Sequence, residues 1–211
     1  MSMNYQNVSI SRSGQIRQAW LYFMYYWLIF AVGTFAGQFV PPALRMSVSI
    51  LIMAIVLISL FVKSSRKFSA LIANVLAFLI GVVSYASFMY FLNDLGTVAF
   101  YQNIGLAVAA FFMFGFLGYF VIGDASSLGR LLFPALIALI FASILGFFIH
   151  IPMFHLVITI FGLTIFLGYT IYDFNRMKRG AFSPREMGFN LFMNLLNIIM
   201  DVLRLASILR D

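Results

Sequence analysis

The stretch "NLFMNLLNIIMDVLRLASILRD", residues 190–211, is apolar enough to lie in a lipid bilayer, yet it carries a regular row of polar side chains. The members of this row, hereafter the polar stripe, are spaced 4, 3, 4 and 3 residues apart. At about 100° per residue they fall on one narrow face of a helix. Lipid offers these groups no hydrogen-bond partner, so we predict that the helix turns the stripe toward other helices or water. The stripe consists of Asn190, Asn194, Asn197, Asp201 and Arg204.

The composition of the chain indicates that the bilayer is its solvent and partner. Its 211 residues are 64% hydrophobic and only 9% charged, whereas a soluble domain carries about 25% charged residues. The net charge is +7, but the basic residues lie almost wholly between apolar runs. We interpret them as topology signals and lipid-headgroup contacts. We therefore expect no nucleic-acid partner. The chain has no cysteine, which excludes disulfides and thiol catalysis.

The apolar runs predict the fold class, because a spanning helix needs roughly 20 mostly apolar residues. We predict an all-α polytopic membrane protein with seven transmembrane helices. Residues 1–17 would form a cytoplasmic N-terminal segment without a signal-peptide cleavage site, and residues 18–211 a single seven-helix transmembrane domain. The predicted spans are residues 18–40, 43–62, 69–92, 102–122, 131–149, 153–174 and 187–209, and a turn is predicted at 93–96.

The distribution of Lys and Arg predicts the orientation. With the N-terminus inside, ten of these residues lie in cytoplasmic segments and two in outer segments. This bias follows the positive-inside rule. An odd number of spans then puts the C-terminus outside.

Few ionisable residues remain within the spans, and such groups are costly enough that a function is expected. Asp173 has two open interpretations: a carboxylate that binds an ion or proton in the bundle interior, or a headgroup-level carboxylate paired with Arg176 or Lys178. The polar stripe could line a hydrophilic path or only form interhelical hydrogen bonds. Asp201 and Arg204, three residues apart, could simply neutralise each other.

Depth in the membrane predicts which of these groups meet. Asp173 and Asn194 both lie roughly one or two turns inside the cytoplasmic boundary, so we expect them to face each other. Asp201 lies on the order of 10 Å further out than Asn194 and is not expected to reach it.

A Gly-xxx-Gly pattern, "GTFAG" at 33–37, lets two helices approach closely. It is compatible with dimerisation, and we favour packing within the chain.

The chain resembles the Bax inhibitor family, the transmembrane BAX inhibitor motif proteins, in its bacterial branch. The sharpest motifs are "GYTIYDFNRMKRG" at 168–180 and "NLFMNLLNIIMDVLRLASIL" at 190–209, and "GQFVP" at 37–41 is also similar. The resemblance implies a bundle of six helices around a central seventh, in a bacterial cell (inner) membrane. It also implies a pH-sensitive calcium leak channel.

In the family, one aspartate on each of the last two helices shares a proton and gates the pore, and a basic residue ending the second helix latches onto the pair. The first aspartate matches Asp173, and the latch matches Lys63, where Arg is more usual. The resemblance thus implies an ion path and gate near the cytoplasmic ends of the last two helices, with calcium held by Asp173 and Asn194. The other path residues would be Asn190, Asn197 and Asp201, with Arg204 as a counterion.

The second aspartate of the family falls on Asn194, and this departure has a physical consequence. Two adjacent carboxylates cannot both ionise cheaply, whereas an Asp–Asn pair lacks that repulsion. Calcium prefers 6 to 8 oxygen ligands, and fewer negative ligands bind it more weakly. We expect a proton response that is weakened or shifted to lower pH.

Other functions fit the sequence less well. Retinal needs a lysine within the helices, and Lys63, Lys67 and Lys178 all lie at loops. No catalytic or zinc-binding pattern is present, so we predict no enzyme and no cofactor, with calcium only as the transported ion. The alternative left open is a non-conducting regulatory membrane protein that binds another membrane protein, such as a protease.

Overall fold

The regular structure of the chain is helical throughout the part that the structure describes. The computed structural model describes residues 12–61, 66–146, 148–149, 151–180 and 182–210. Seven α-helices lie in these ranges, and a π-helical turn at Leu117–Val121 continues the fourth. They are α1 (Arg12–Gly37), α2 (Pro42–Phe61), α3 (Arg66–Leu95), α4 (Thr97–Phe116), α5 (Ser126–Gly146), α6 (Pro152–Arg179) and α7 (Pro184–Ile208).

The predicted all-α membrane class agrees with these helices. Within the described residues, six helices are long and apolar enough to cross a membrane, all except α2. In α2, the segment Pro42–Ile52 is a shorter apolar helix. The count of seven spans and the orientation of the termini stay predictions.

Three helix boundaries differ from those of the predicted spans and turn, each for a local reason. Helix α1 begins at Arg12, before the first predicted span, and the domain division at residue 18 stays a prediction. The turn predicted at 93–96 is reduced to Gly96, whose φ of 78° lets α4 follow α3 directly. Helix α6 continues past residue 174 to Arg179, because its basic last turn suits a helix C-terminus, and Gly180 ends it in the left-handed conformation.

Helix α7 is the most enclosed of the candidate spans. In its most apolar window 61% of the residues are buried, against 11–33% in the other five. It packs against α1, α3, α4 and α6, while α2 packs on α3 and α5 on α6. Aromatic side chains fill one side of this contact: the ring of Phe192 lies 5.2 Å from that of Trp27 and 5.8 Å from that of Phe30. The polar stripe faces away from this aromatic core.

Helices α1 and α3 touch through glycines. A Cβ added at Gly33 would lie 2.2 Å from the backbone oxygen of Phe78, and one added at Gly81 would lie 2.3 Å from that of Phe30. The two backbones therefore meet at a distance that only glycine permits. The expectation that "GTFAG" serves packing within the chain is confirmed.

We expect Gly33→Ala to destabilise the protein by about 1–3 kcal/mol, because the added methyl must push two backbones apart. The measurement is thermal unfolding of the purified protein in detergent. Gly105→Ala is the matched control, since a Cβ at Gly105 of α4 meets no atom within 4 Å. Equal losses of melting temperature in both variants would contradict the close α1–α3 contact.

Candidate functional site

The carboxylate of Asp173 and the amide of Asn194 meet between α6 and α7. Asn194 Nδ2 donates a hydrogen bond to Asp173 Oδ2 over 2.9 Å. Asp173 is only 2% exposed and Asn194 5%. The expectation that these two side chains face each other is confirmed, and the carboxylate lies inside the bundle.

Arg176, one helical turn further along α6, pairs with the same carboxylate. Its Nη1 lies 3.6 Å from Asp173 Oδ1, and its Nη2 lies 3.6 Å from Oε1 of Glu186 at the start of α7. The guanidinium also lies 5.6 Å from the centre of the Tyr172 ring. Both interpretations of Asp173 therefore describe part of its surroundings: it is an interior carboxylate, and it has an arginine partner.

Two neighbouring cavities follow the polar stripe between α5, α6 and α7, and α3 also lines the second of them. The first, hereafter the Asp173 cavity, has a volume of about 400 Å³, and the second, the Asp201 cavity, about 330 Å³. Residues Phe166, Met193 and Asn197 line both, so the cavities adjoin. The stripe residues in the first cavity are Asn190, Asn194 and Asn197, and those in the second are Asn197, Asp201 and Arg204.

Asp201 lies in the second cavity, away from the Asp173–Asn194 contact. It is 7% exposed, and its Oδ1 lies 3.5 Å from Nη1 of Arg204. A Cβ added at Gly162 of α6 would lie 2.8 Å from Asp201 Oδ2, so this glycine leaves room for the carboxylate. The expected local pairing of Asp201 with Arg204 is present.

Not every predicted site residue has a described position or a partner across helices. Lys63 lies outside the described residues, so its role as a latch stays a prediction. Asn197 Nδ2 donates to the backbone oxygen of Met193 within α7. Among the described residues, no group of three or more His, Asp or Glu side chains is arranged to hold a metal. Calcium binding by Asp173 and Asn194 would therefore need backbone or water oxygens as well.

Asn175 is a structural residue that the sequence analysis did not single out. It is fully buried, its Nδ2 donates to the backbone oxygens of Gly118 and Ile122 at 3.1 and 2.9 Å, and its Oδ1 accepts from the N–H of Ala125 at 3.0 Å. The side chain thereby satisfies the backbone where α4 ends in its π-helical turn. The available signal was an amide side chain two residues after Asp173, inside the "YDFN" motif.

The basic end of α6 also holds the α4–α5 loop. Lys178 donates to the backbone oxygen of Ile122 over 3.1 Å, and Arg179 Nη1 lies 2.9 Å from Asp124 Oδ1. Hydrogen bonds from the hydroxyl and the backbone N–H of Ser126 lower the pKa of Asp124 from its ordinary value, and Arg179 lowers it further. The charged end of the motif thus fixes the loop, while Asp173 points to α7.

The polar stripe, Asp173 and the two cavities beside them are hereafter called the seam. The fold and the seam together define a polytopic helical membrane protein with polar groups enclosed along its last helix. The family model described as "Inhibitor of apoptosis-promoting Bax1" matches residues 12–211. The chain belongs to this family, the Bax inhibitor family, as its motifs predicted.

Individual relatives are more distant. The chain is 27% identical over 117 residues to uncharacterized proteins of two Helicobacter pylori strains, covering 55% of this chain and 51% of each relative. It is 34% identical over 88 residues to the Golgi anti-apoptotic protein of vaccinia virus strain Lister, covering 40% of this chain and 37% of the viral protein. The chain thus spans about half the length of the Helicobacter relatives and less of the viral one.

We expect Asn175→Ala to destabilise the protein by about 1–3 kcal/mol, because it leaves buried backbone groups of the α4–α5 connection without partners. Thermal unfolding measures the loss, and hydrogen exchange should show faster exchange at Ala125. Asn103→Ala is the matched control, since Asn103 Nδ2 donates only to Ala99 O of its own helix. Unchanged exchange at Ala125 would contradict the role assigned to Asn175.

Proposed function

We propose that the chain is a calcium (cation) leak channel influenced by pH, with its gate between the ends of α6 and α7 that face the cytoplasm in the predicted orientation. The membrane is proposed to be a bacterial inner membrane, with the N-terminus cytoplasmic and the C-terminus outside. The protein would act without a cofactor and without enzymatic chemistry.

The observation that carries this proposal is the buried Asp173–Asn194 contact at the wall of a cavity. A carboxylate within a membrane span is costly and is expected to have a function. Here an amide hydrogen bond of 2.9 Å orients it, and the cavity beside it has a volume of about 400 Å³. This is room for a partly hydrated ion next to two oxygen-bearing side chains.

The rest of the polar stripe supports a path rather than an isolated site. Asn190 lines the Asp173 cavity, Asn197 lines both cavities, and Asp201 lines the second. These side chains supply oxygen atoms along one face of α7, and calcium prefers oxygen ligands. Asp173 and Asp201 are the negative charges that would attract a cation.

Membership of the Bax inhibitor family supports the membrane setting, and the Helicobacter relatives support a bacterial one. The name of the vaccinia relative, Golgi anti-apoptotic protein, describes that viral protein. That name points to no residue of this chain that would distinguish a channel from a non-conducting regulator. The choice therefore depends on a transport measurement.

We expect Asp173→Asn to reduce calcium flux into liposomes that contain the purified protein by about tenfold or more, because neutral oxygens alone attract calcium weakly. A calcium-sensitive dye inside the liposomes gives the readout. Asp124→Asn is the matched control, because Asp124 lies in the exposed α4–α5 loop away from both cavities.

Wild-type liposomes that pass no calcium would overturn the channel proposal and favour the alternative, a non-conducting regulator that binds another membrane protein. Flux that is equal in wild type and Asp173→Asn would overturn the assignment of Asp173.

We expect Asn194→Asp to strengthen the pH dependence of calcium flux. The new carboxylate would lie within hydrogen-bond distance of Asp173, and two such groups exchange a proton as a coupled pair. Arg176 and Glu186 are the other charges beside this pair. Flux profiles from pH 5 to 8 that superimpose for wild type and Asn194→Asp would count against this role of position 194.

A further inference from the structure

The two buried aspartates of the seam have the same local arrangement. Each has an arginine three residues later on its own helix, with Arg176 Nη1 3.6 Å from Asp173 Oδ1 and Arg204 Nη1 3.5 Å from Asp201 Oδ1. Helices α6 and α7 run in opposite directions, because Asp173 contacts Asn194 while the earlier Gly162 lies beside the later Asp201. The two arginines therefore lie on opposite sides of the seam, each nearer to its own end of the bundle than the aspartate it pairs with, by about 4.5 Å.

We propose that Arg176 and Arg204 are tethered cations that close the two ends of the seam. Each guanidinium pairs with a carboxylate that a passing cation must bind. An ion therefore enters only when the guanidinium moves aside. This role rests on the proposed function as a cation path, and it gives the path two closures where Lys63 was predicted as a single latch.

The separation of the two pairs fits two distinct closures. Gly162 lies beside Asp201, and Asp173 lies eleven residues further along the same helix. That spacing corresponds to about 16 Å along α6, and the seven residues from Asn194 to Asp201 correspond to about 10 Å along α7. Asn197, which lines both cavities, lies between the pairs. One guanidinium cannot neutralise both carboxylates across this distance.

Arg176 has a second acidic partner that makes its movement cheap. Its Nη2 already lies 3.6 Å from Glu186 Oε1, and the Glu186 side chain is 60% exposed. A shift of the guanidinium toward Glu186 keeps an acidic partner for Arg176 and frees Asp173 for the incoming cation. The cation then replaces Arg176 as the counterion of Asp173, because an unpaired buried carboxylate would be strongly unfavourable. Glu186 is thus proposed as the resting place of Arg176 when an ion occupies Asp173.

Within the described residues, Asp201 is the acidic partner found for Arg204, and the Arg204 side chain is partly exposed. Its side chain is 45% exposed while that of Asp201 is 10% exposed. The guanidinium can turn outward and be hydrated, leaving Asp201 for an incoming cation. Exposed ion pairs are weaker than buried ones, so the Arg204 closure should hold the seam less tightly than the Arg176 closure.

Calcium flux into liposomes tests both closures. We expect Arg204→Gln to raise the flux about two- to fivefold, Arg176→Gln to raise it about tenfold, and the double variant to exceed either. Arg176→Lys and Arg204→Lys keep the positive charge, so we expect their calcium flux to be as slow as that of the wild type. Arg179→Gln and Arg210→Gln are the matched controls, because these arginines contact Asp124 and the backbone of Asp94 outside the cavities.

A labelling experiment tests the closures without relying on conduction. The chain has no cysteine, so Asn197→Cys supplies a single thiol where the two cavities adjoin. We expect a positively charged, membrane-impermeant thiol reagent to react faster when Arg204→Gln is added and the reagent is applied on the Arg204 side. We also expect faster labelling when Arg176→Gln is added and the charged reagent is applied on the Arg176 side. A neutral reagent of equal size should show a smaller increase in labelling rate in both experiments.

The outcomes separate this inference from the proposed function. Wild-type flux that depends on Asp173 but does not change in either arginine variant, with unchanged labelling, overturns the closures alone. A wild-type protein that conducts no calcium overturns the channel and the closures with it, even if labelling changes. Thermal unfolding of each variant checks that a rise in flux is not a loss of fold, and a rise seen only in variants that melt early also counts against the closures.

Discussion

The structure depends on one constraint: lipid cannot hydrogen-bond the polar stripe of α7. A helix with three amides and a charged pair on one face must be enclosed, and α7 is the most buried of the candidate spans. Its opposite face is fixed by aromatic packing against α1, where Phe192 meets Trp27 and Phe30. The glycine contacts hold α1 close to α3, and both of these helices pack on α7.

The motif that ends α6 shows how four successive residues divide their contacts. Asp173 faces Asn194, and the Phe174 ring lies where a Cβ on Gly115 of α4 would be. Asn175 binds the backbone at the end of α4, and Arg176 returns to Asp173 and reaches Glu186. Each residue turns by about 100° from the last, so one short motif contacts several elements. The motif therefore holds the fold and shapes the site with the same segment.

The neutral side chain of Asn194 sets the electrostatics beside Asp173. A second aspartate at position 194 would concentrate two negative charges at one depth. Here Asp173 has a neutral amide partner, and the second buried carboxylate, Asp201, lies in the adjoining cavity with its own arginine. Charge is thus distributed along the seam as two ion pairs. Buried pairs of this kind add little net stability.

The sequence by itself determined the helical membrane class, the family, the enclosure of the polar stripe and the meeting of Asp173 with Asn194. The class follows from the length of the apolar runs, and the family from its motifs. The enclosure follows from periodicity along one helix, and the Asp173–Asn194 contact from the depth of both residues in their spans. Only the tertiary structure decided that Gly96 alone separates α3 from α4, that Asn175 holds the α4–α5 connection and that Gly162 leaves room for Asp201. It also decided that Arg176 touches both Asp173 and Glu186. The contacts of Asn175 with Gly118 and of Gly162 with Asp201 join residues far apart in the chain. Spacing along one helix does not say which residue of another helix a side chain will meet.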